Sequence, residues 1–211
     1  MGKGVATRER LMDIAEAAIL QKGFAGTSIE ELIAEAGITK SGFFYHFRDK
    51  NQLAQRLLER HLQRDETILD DVFGRARELT DDPLHTLLVG LKLLAELMAD
   101  LKEGHPGCLV ATYCYNERLF DQDLRDLNRQ AVLAWRIRFR AMIDAINLRY
   151  LPREEIDPDH LADMISTMVE GGIVMSKVLR APLVLPQQIL LLRSYIRLLY
   201  CPNEDNNAER V

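Results

Sequence analysis

The chain has 211 residues, 47% hydrophobic and 28% charged, a balance typical of a globular chain with a substantial core and unlike that of a disordered one. A net charge of −5 excludes a generally basic surface, yet residues 1–64 carry ten Lys/Arg against eight Asp/Glu and the rest seventeen against twenty-four, so a basic face is possible only on the first part. Three cysteines, Cys108, Cys114 and Cys201, without a CxxC, argue against a disulfide scaffold or a four-ligand zinc site and fit a reducing cytoplasm.

The few prolines and glycines lie mostly between periodic apolar stretches, which predicts an all-α fold. A first helix is expected over 7–22, with Leu11, Ile14, Ala15 and Ala18 as its stripe, Gly23 beyond its end and Phe24 folded back on Ile19. Thr27 and Glu30 are spaced as a capping box opening a second helix, which Gly37 ends. Thr39 caps a third, with Ile38 and Phe43 spaced as a hydrophobic staple, and Asp49 with Gln52 caps a long fourth. Further helices are expected over about 83–103, 107–119, 122–150, 158–180 and 185–200, with boundaries good to ~2–4 residues. The division is then a head over residues 1–50, a larger helical part over 51–201 and a polar, disordered tail over 202–211. No apolar start suggests a signal peptide, Ala6 breaks the myristoylation pattern, and no stretch approaches the ~20 residues of a membrane span. A soluble cytoplasmic protein is expected.

Two short helices joined at Gly37 form a helix-turn-helix, whose second helix enters the major groove with its N-terminal residues. Those residues are Lys40, Ser41 and Gly42: lysine can donate to guanine, serine suits several base edges, and glycine permits close approach. Phe43 and Phe47 share one face, the inward one, which leaves Tyr45 and His46 to face phosphates and places Lys50 beside the same backbone. A generic helical hairpin could carry the same turn.

The stretch GFAGTSIEELIAEAGITKSGFFYHFRDKNQL resembles the DNA-binding head of the TetR/AcrR family of transcriptional regulators, over about Thr7 to Leu57. The match is in order: the helix-ending Gly-Phe, the Thr-Ser start, the Ala-Gly-Ile turn, Thr-Lys, the aromatic-His-Phe and the Asp-Lys after it. The resemblance implies a ligand-responsive regulator, most simply a repressor released from a palindromic operator, with phosphate contacts from Thr27, Tyr45, His46 and Lys50. Base reading would lie around Lys40, Ser41 and Gly42. Phe44 stands where the family usually has a phosphate-binding tyrosine, and Ser41-Gly42 replaces the commoner glycine followed by a small or polar residue.

Family members dimerise and bind an effector through the larger domain. The last two helices are apolar on more than one face, which suits a two-fold four-helix interface, although a monomer could also bury them. Gly171-Gly172 fits either a close approach across that interface or a kink. Met98, His105, Cys108, Tyr113, Tyr115, Trp135, Phe139 and Met142 are the candidate liners of a largely apolar effector pocket, suited to a small hydrophobic or aromatic ligand. Cys108 opens a helix in a Gly-Cys-Leu setting like that of electrophile-sensing relatives, or is an inert buried thiol. Neither a metal nor a cofactor is expected. No zinc-protease HExxH, phosphate loop or nucleophile elbow is present, so an enzyme is not the expected reading.

Overall fold

The computed structural model describes residues 2–200; the predicted tail and Cys201 lie outside them. Among the described residues there are nine α-helices, a single turn of 3-10 helix at Glu117–Leu119 and no strand. The helices are α1 (Lys3–Lys22), α2 (Ile29–Ala36), α3 (Lys40–His46), α4 (Lys50–Leu79), α5 (Pro83–Ala99), α6 (Leu109–Cys114), α7 (Gln122–Asn147), α8 (Pro158–Val178) and α9 (Val184–Tyr200). The helix expected over 107–119 divides, because the Asn116 side chain donates to the Thr112 carbonyl at 2.9 Å. That acceptor is the one a continuing helix would give to the Asn116 amide, which turns instead to Tyr113 O.

The chain forms two compact units. The first combines everything up to Thr67 with Pro106–Leu133, so α6 and the start of α7 belong with α1, α2, α3 and the beginning of α4. Leu11, Ala15, Ile19, Leu32, Phe43 and Phe47 form its apolar centre, each at most 1% exposed. Gly23 ends α1 at φ +81°, its amide on Ile19 O, and Phe24 is buried with its ring edge-on to Phe120 (4.6 Å between centroids) and to Tyr113 (6.2 Å). The Tyr113 hydroxyl, itself buried, donates to Ala54 O at 3.0 Å and so ties α6 to the start of α4.

The capping box expected of Thr27 is one residue out of place. Thr27 is 1% exposed and its hydroxyl donates to Gly23 O at 2.9 Å, closing the end of α1. Ser28 is the N-cap of α2 and accepts from the Glu31 amide at 3.2 Å. The Thr39 and Asp49 caps stand as expected, accepting from Gly42 N at 3.1 Å and Gln52 N at 2.7 Å. The Gln52 side chain takes the Arg48 amide rather than that of Asp49.

An ionic cluster joins α1 to α4 in this unit. Arg60 meets Glu9 at 3.3 Å, Asp13 at 2.7 Å and Glu16 at 2.6 Å, while Arg64 bonds the other Glu16 oxygen. Burial alone would raise the Glu16 pKa, but the bonds from Arg64 and Arg60 outweigh it and hold the carboxyl below its ordinary value. Its contribution to stability is therefore full above the unfolded-state carboxyl pKa of about 4.3 and is lost as pH falls through the lower folded value. Glu16→Gln should destabilise the unit by about 1 kcal/mol at neutral pH, since Arg64 loses its carboxylate and Arg60, though still paired with Glu9 and Asp13, loses its most buried one. It should also flatten the loss of stability as pH falls from about 4.3 through the lower folded value. Urea unfolding of parent and variant at neutral pH and across that range checks both, and parallel curves would remove Glu16 from the cluster's energetics.

The second unit holds Ile68–His105 and the chain from Ala134 on. Here α9 packs against α5 and α8, with Arg193 donating to Leu88 O at 2.9 Å and an Arg136–Asp163 fork of 2.7 and 2.6 Å tying α7 to α8. Gly90 admits the Phe73 ring so closely that a Cβ there would come within 2.2 Å of it. Gly172 is likewise buried, a Cβ falling 2.8 Å from Leu185 Cδ1 and 3.2 Å from its Cα, whereas Gly171 is exposed with nothing near it. Gly172 thus makes its close approach to α9 within the chain, rather than across an interface between copies, and α8 continues through the pair without the break a kink would need. No helix among the described residues is long and apolar enough to cross a membrane.

Candidate nucleic-acid interface

The turn between α2 and α3 has a local cause. Gly37 adopts φ +61°, a left-handed conformation that side chains resist, and its amide and that of Ile38 return to the end of α2, Ile38 N reaching Ile33 O at 3.0 Å. The chain reverses and Thr39 opens α3 in extended conformation. Phe43 and Phe47, 0% and 1% exposed with centroids 5.8 Å apart, anchor the inner face of α3. Its outer face is left with Lys40, Ser41, Phe44 and Tyr45, all exposed, Tyr45 at 82%. His46 is half-buried, its ring edge-on to Tyr45 at 5.0 Å.

The exposed groups are not idle. Lys40 Nζ lies 3.4 Å from Glu30 of α2, an exposed pair that a base could displace at little cost. The Ser41 hydroxyl shares a hydrogen bond of 2.9 Å with Thr39, and Gly42 leaves ordinary van der Waals room for a Cβ against Ile38 and Thr39. Lys50 is half-buried: its ammonium donates to Phe24 O and sits 4.0 Å over the Phe24 ring, and burial pushes its pKa down. An ammonium has three donors, so a phosphate remains within its capacity. Thr27 stands apart from the rest, its hydroxyl buried and spent on Gly23, so its side chain does not face outward with the others.

Sequence reasoning passed over Arg8 and Arg48. The Arg8 guanidinium lies 5.6 Å from the Phe47 ring centroid, beside the end of α3, and Arg48 follows α3 directly, exposed and paired with Asp49 at 2.8 Å. The available signal was the positive balance of residues 1–64, which those two arginines help to set.

The eight candidate effector-pocket residues divide between the two units. Cys108, Tyr113 and Tyr115 belong to the first unit, and Met98, His105, Trp135, Phe139 and Met142 to the second. Cys108 is the buried N-cap of α6, Tyr113 is committed to Ala54, and Tyr115 is 88% exposed. Phe139 is buried edge-on to Phe73 at 6.1 Å, while Met98, His105, Trp135 and Met142 are half-buried.

Residues 11–57 match the family model described as bacterial regulatory proteins, tetR family. The HTH-type transcriptional repressor NemR of Escherichia coli strain K12 is 40% identical over 55 residues, 26% of this chain and 28% of that repressor's length. The HTH-type transcriptional regulator TtgR of Pseudomonas putida is 28% identical over 193 residues, 88% of this chain and 84% of that regulator. Among solved structures, a TetR transcriptional regulator from Chloroflexus aurantiacus superposes with a TM-score of 0.75 at 26% identity, over 95% of this chain and 98% of that one. The reduced form of E. coli NemR superposes at 0.73 and 17% identity, over 94% and 99%.

Proposed function

We propose, from the premise that this chain belongs to the TetR family of bacterial transcriptional regulators, that it is a repressor released from a near-palindromic operator when a small molecule binds its larger helical unit. The observation that carries the DNA-binding part is α3 itself: a Thr39-capped helix with its aromatic face buried and Lys40, Ser41 and Tyr45 turned outward. A helix so anchored presents its N-terminal residues to base edges and leaves Tyr45, His46 and Lys50 for the backbone. Thr27 contributes by closing α1 and setting the start of α2. A two-fold dimer would present two such helices, ~34–36 Å apart for half-sites one turn apart. The ligand acts only as far as its affinities for the two head spacings differ.

Selecting bound fragments from the source genome with the purified protein gives the operator, and two variants then test the helix. Lys40→Ala should lose ~1–3 kcal/mol of discrimination at one position of each half-site. Lys50→Ala should weaken operator and random duplex alike and lower the salt slope by about one unit. Binding to the operator, to its single-base variants and to random duplex across a salt series separates them. If Lys40→Ala weakens every duplex equally while Lys50→Ala changes base preference, the assignment of the two lysines is reversed.

A further inference from the structure

A groove of about 660 Å³ runs along the second unit between the latter halves of α4 and α5, a size that takes a drug-sized ligand. Ile68 and Val72 of α4 and Leu93 and Leu97 of α5 give it an apolar floor. Its polar lining is strongly one-sided: Asp70, Asp71, Glu78, Glu96 and Asp100 against the single cation Arg75. Two of the acids are occupied, Asp70 by Arg138 at 2.6 Å and Glu96 by Lys92. The other three, Asp71, Glu78 and Asp100, have no ion pair or hydrogen bond through their side chains among the described residues. Asp71, Arg75 and Glu78 follow one another at four and three residues, so they rise from one face of α4. Gly74 lies in the same wall, mid-helix, where glycine costs stability relative to alanine. A Cβ built there meets nothing within 4 Å, so the groove is open at that point.

We propose that this groove binds an amphiphilic organic cation, its apolar body on the leucine and valine floor and its ammonium among Asp71, Glu78 and Asp100. An anion would meet surplus negative charge, and a neutral body would gain nothing from three unpaired carboxylates. The proposal rests on the reading that the larger unit answers a small molecule, and it names the chemical class.

Calorimetry on the full chain without DNA tests it with three probes of one apolar body: phenylbutylamine, protonated at neutral pH, its uncharged N-acetyl amide, and phenylbutyrate. The amine should bind one per chain and weaken as salt is added. The amide should bind at least about fivefold more weakly and phenylbutyrate more weakly still. Asp71→Asn and Asp100→Asn should each weaken the amine by about fivefold, while Glu117→Gln, outside the groove, should not. Gly74→Leu should abolish binding in a protein that melts no lower than the parent, since the new side chain enters open space on a helix. An amide that binds as well as the amine, an amine that still binds Gly74→Leu, or no heat from any probe would each overturn the proposal. Operator titration with and without saturating amine is read separately. Amine bound in the groove with operator affinity unchanged supports this site while removing it from the release mechanism. Release of DNA by other compounds, with no amine bound, overturns the groove and leaves that mechanism standing.

Discussion

Replacing Phe47 by alanine is expected to cost ~3–5 kcal/mol and to unfold the first unit, abolishing binding to every duplex rather than to the operator alone. The ring is 1% exposed, stands 5.8 Å from Phe43 and has the Arg8 guanidinium over it, and the residue's own amide closes α3 on Phe43 O. Truncation therefore opens a cavity under α3 and at its last turn together. Against the ~5–15 kcal/mol that holds a typical domain, such a loss is large. Tyr45→Ala is the necessary partner: a ring 82% exposed should leave thermal unfolding unchanged and weaken DNA through one lost backbone contact. Circular-dichroism melts of the two variants decide between core and surface. A Phe47→Ala protein that melts with the parent yet binds DNA poorly would move that ring from the core to the interface.

The sequence carried the head because its signals are local. A cap acts over three residues and a left-handed glycine over one, so Thr39, Asp49 and Gly37 could be placed from spacing. The four-residue separation of Phe43 and Phe47 decides which face is inward without reference to any neighbour. Thr27 shows where local signals compete. Thr27 and Ser28 can both cap, and the choice fell to Ser28 because the Thr27 hydroxyl found the Gly23 carbonyl as the chain left α1.

What stayed out of reach depends on partners distant in the chain. Tyr113 meets Ala54 across 59 residues, and periodicity can say only that Tyr113 faces inward, not what it faces. The same limit explains Lys50, whose long stem lets the ammonium turn back over Phe24. Gly172 is similar: the pair suggested an approach between copies or a kink, and spacing could not point to Leu185 of the same chain as the neighbour. The groove between α4 and α5 was invisible for another reason, since its acids sit at the ordinary solvated positions of two amphipathic helices. Only the fold, which sets α4 and α5 on the two sides of one groove, collects them.

Changing Val178 and Leu191 together to glutamate is expected to turn a dimer into a folded monomer. In the single chain α8 and α9 leave apolar side chains in solvent, Val174 at 49%, Val178 at 74%, Leu191 at 59% and Leu198 at 57%. These helices already have an inner face, with Leu161, Ile165, Ile189, Leu192 and Ile196 each at most 1% exposed, so the outer one is surplus to folding. Covering it with a second copy would bury the surplus by the hydrophobic effect. A charge at each of two anchors should cost the association ~2 kcal/mol or more apiece, raising the dimer dissociation constant by about a thousandfold. Both positions are exposed in the isolated chain, so the melt of the monomer should change little. Deleting α9 would be a poorer test, because that helix also packs on α5 through Arg193 and would take the second unit with it. Sedimentation velocity over a concentration series gives the association, and operator binding gives its consequence. A monomer can engage one half-site at a time, so affinity for the two-half-site operator should fall toward that for a single half-site. A double variant that sediments as a dimer at the parent's dissociation constant would place the two-fold contact elsewhere on the chain.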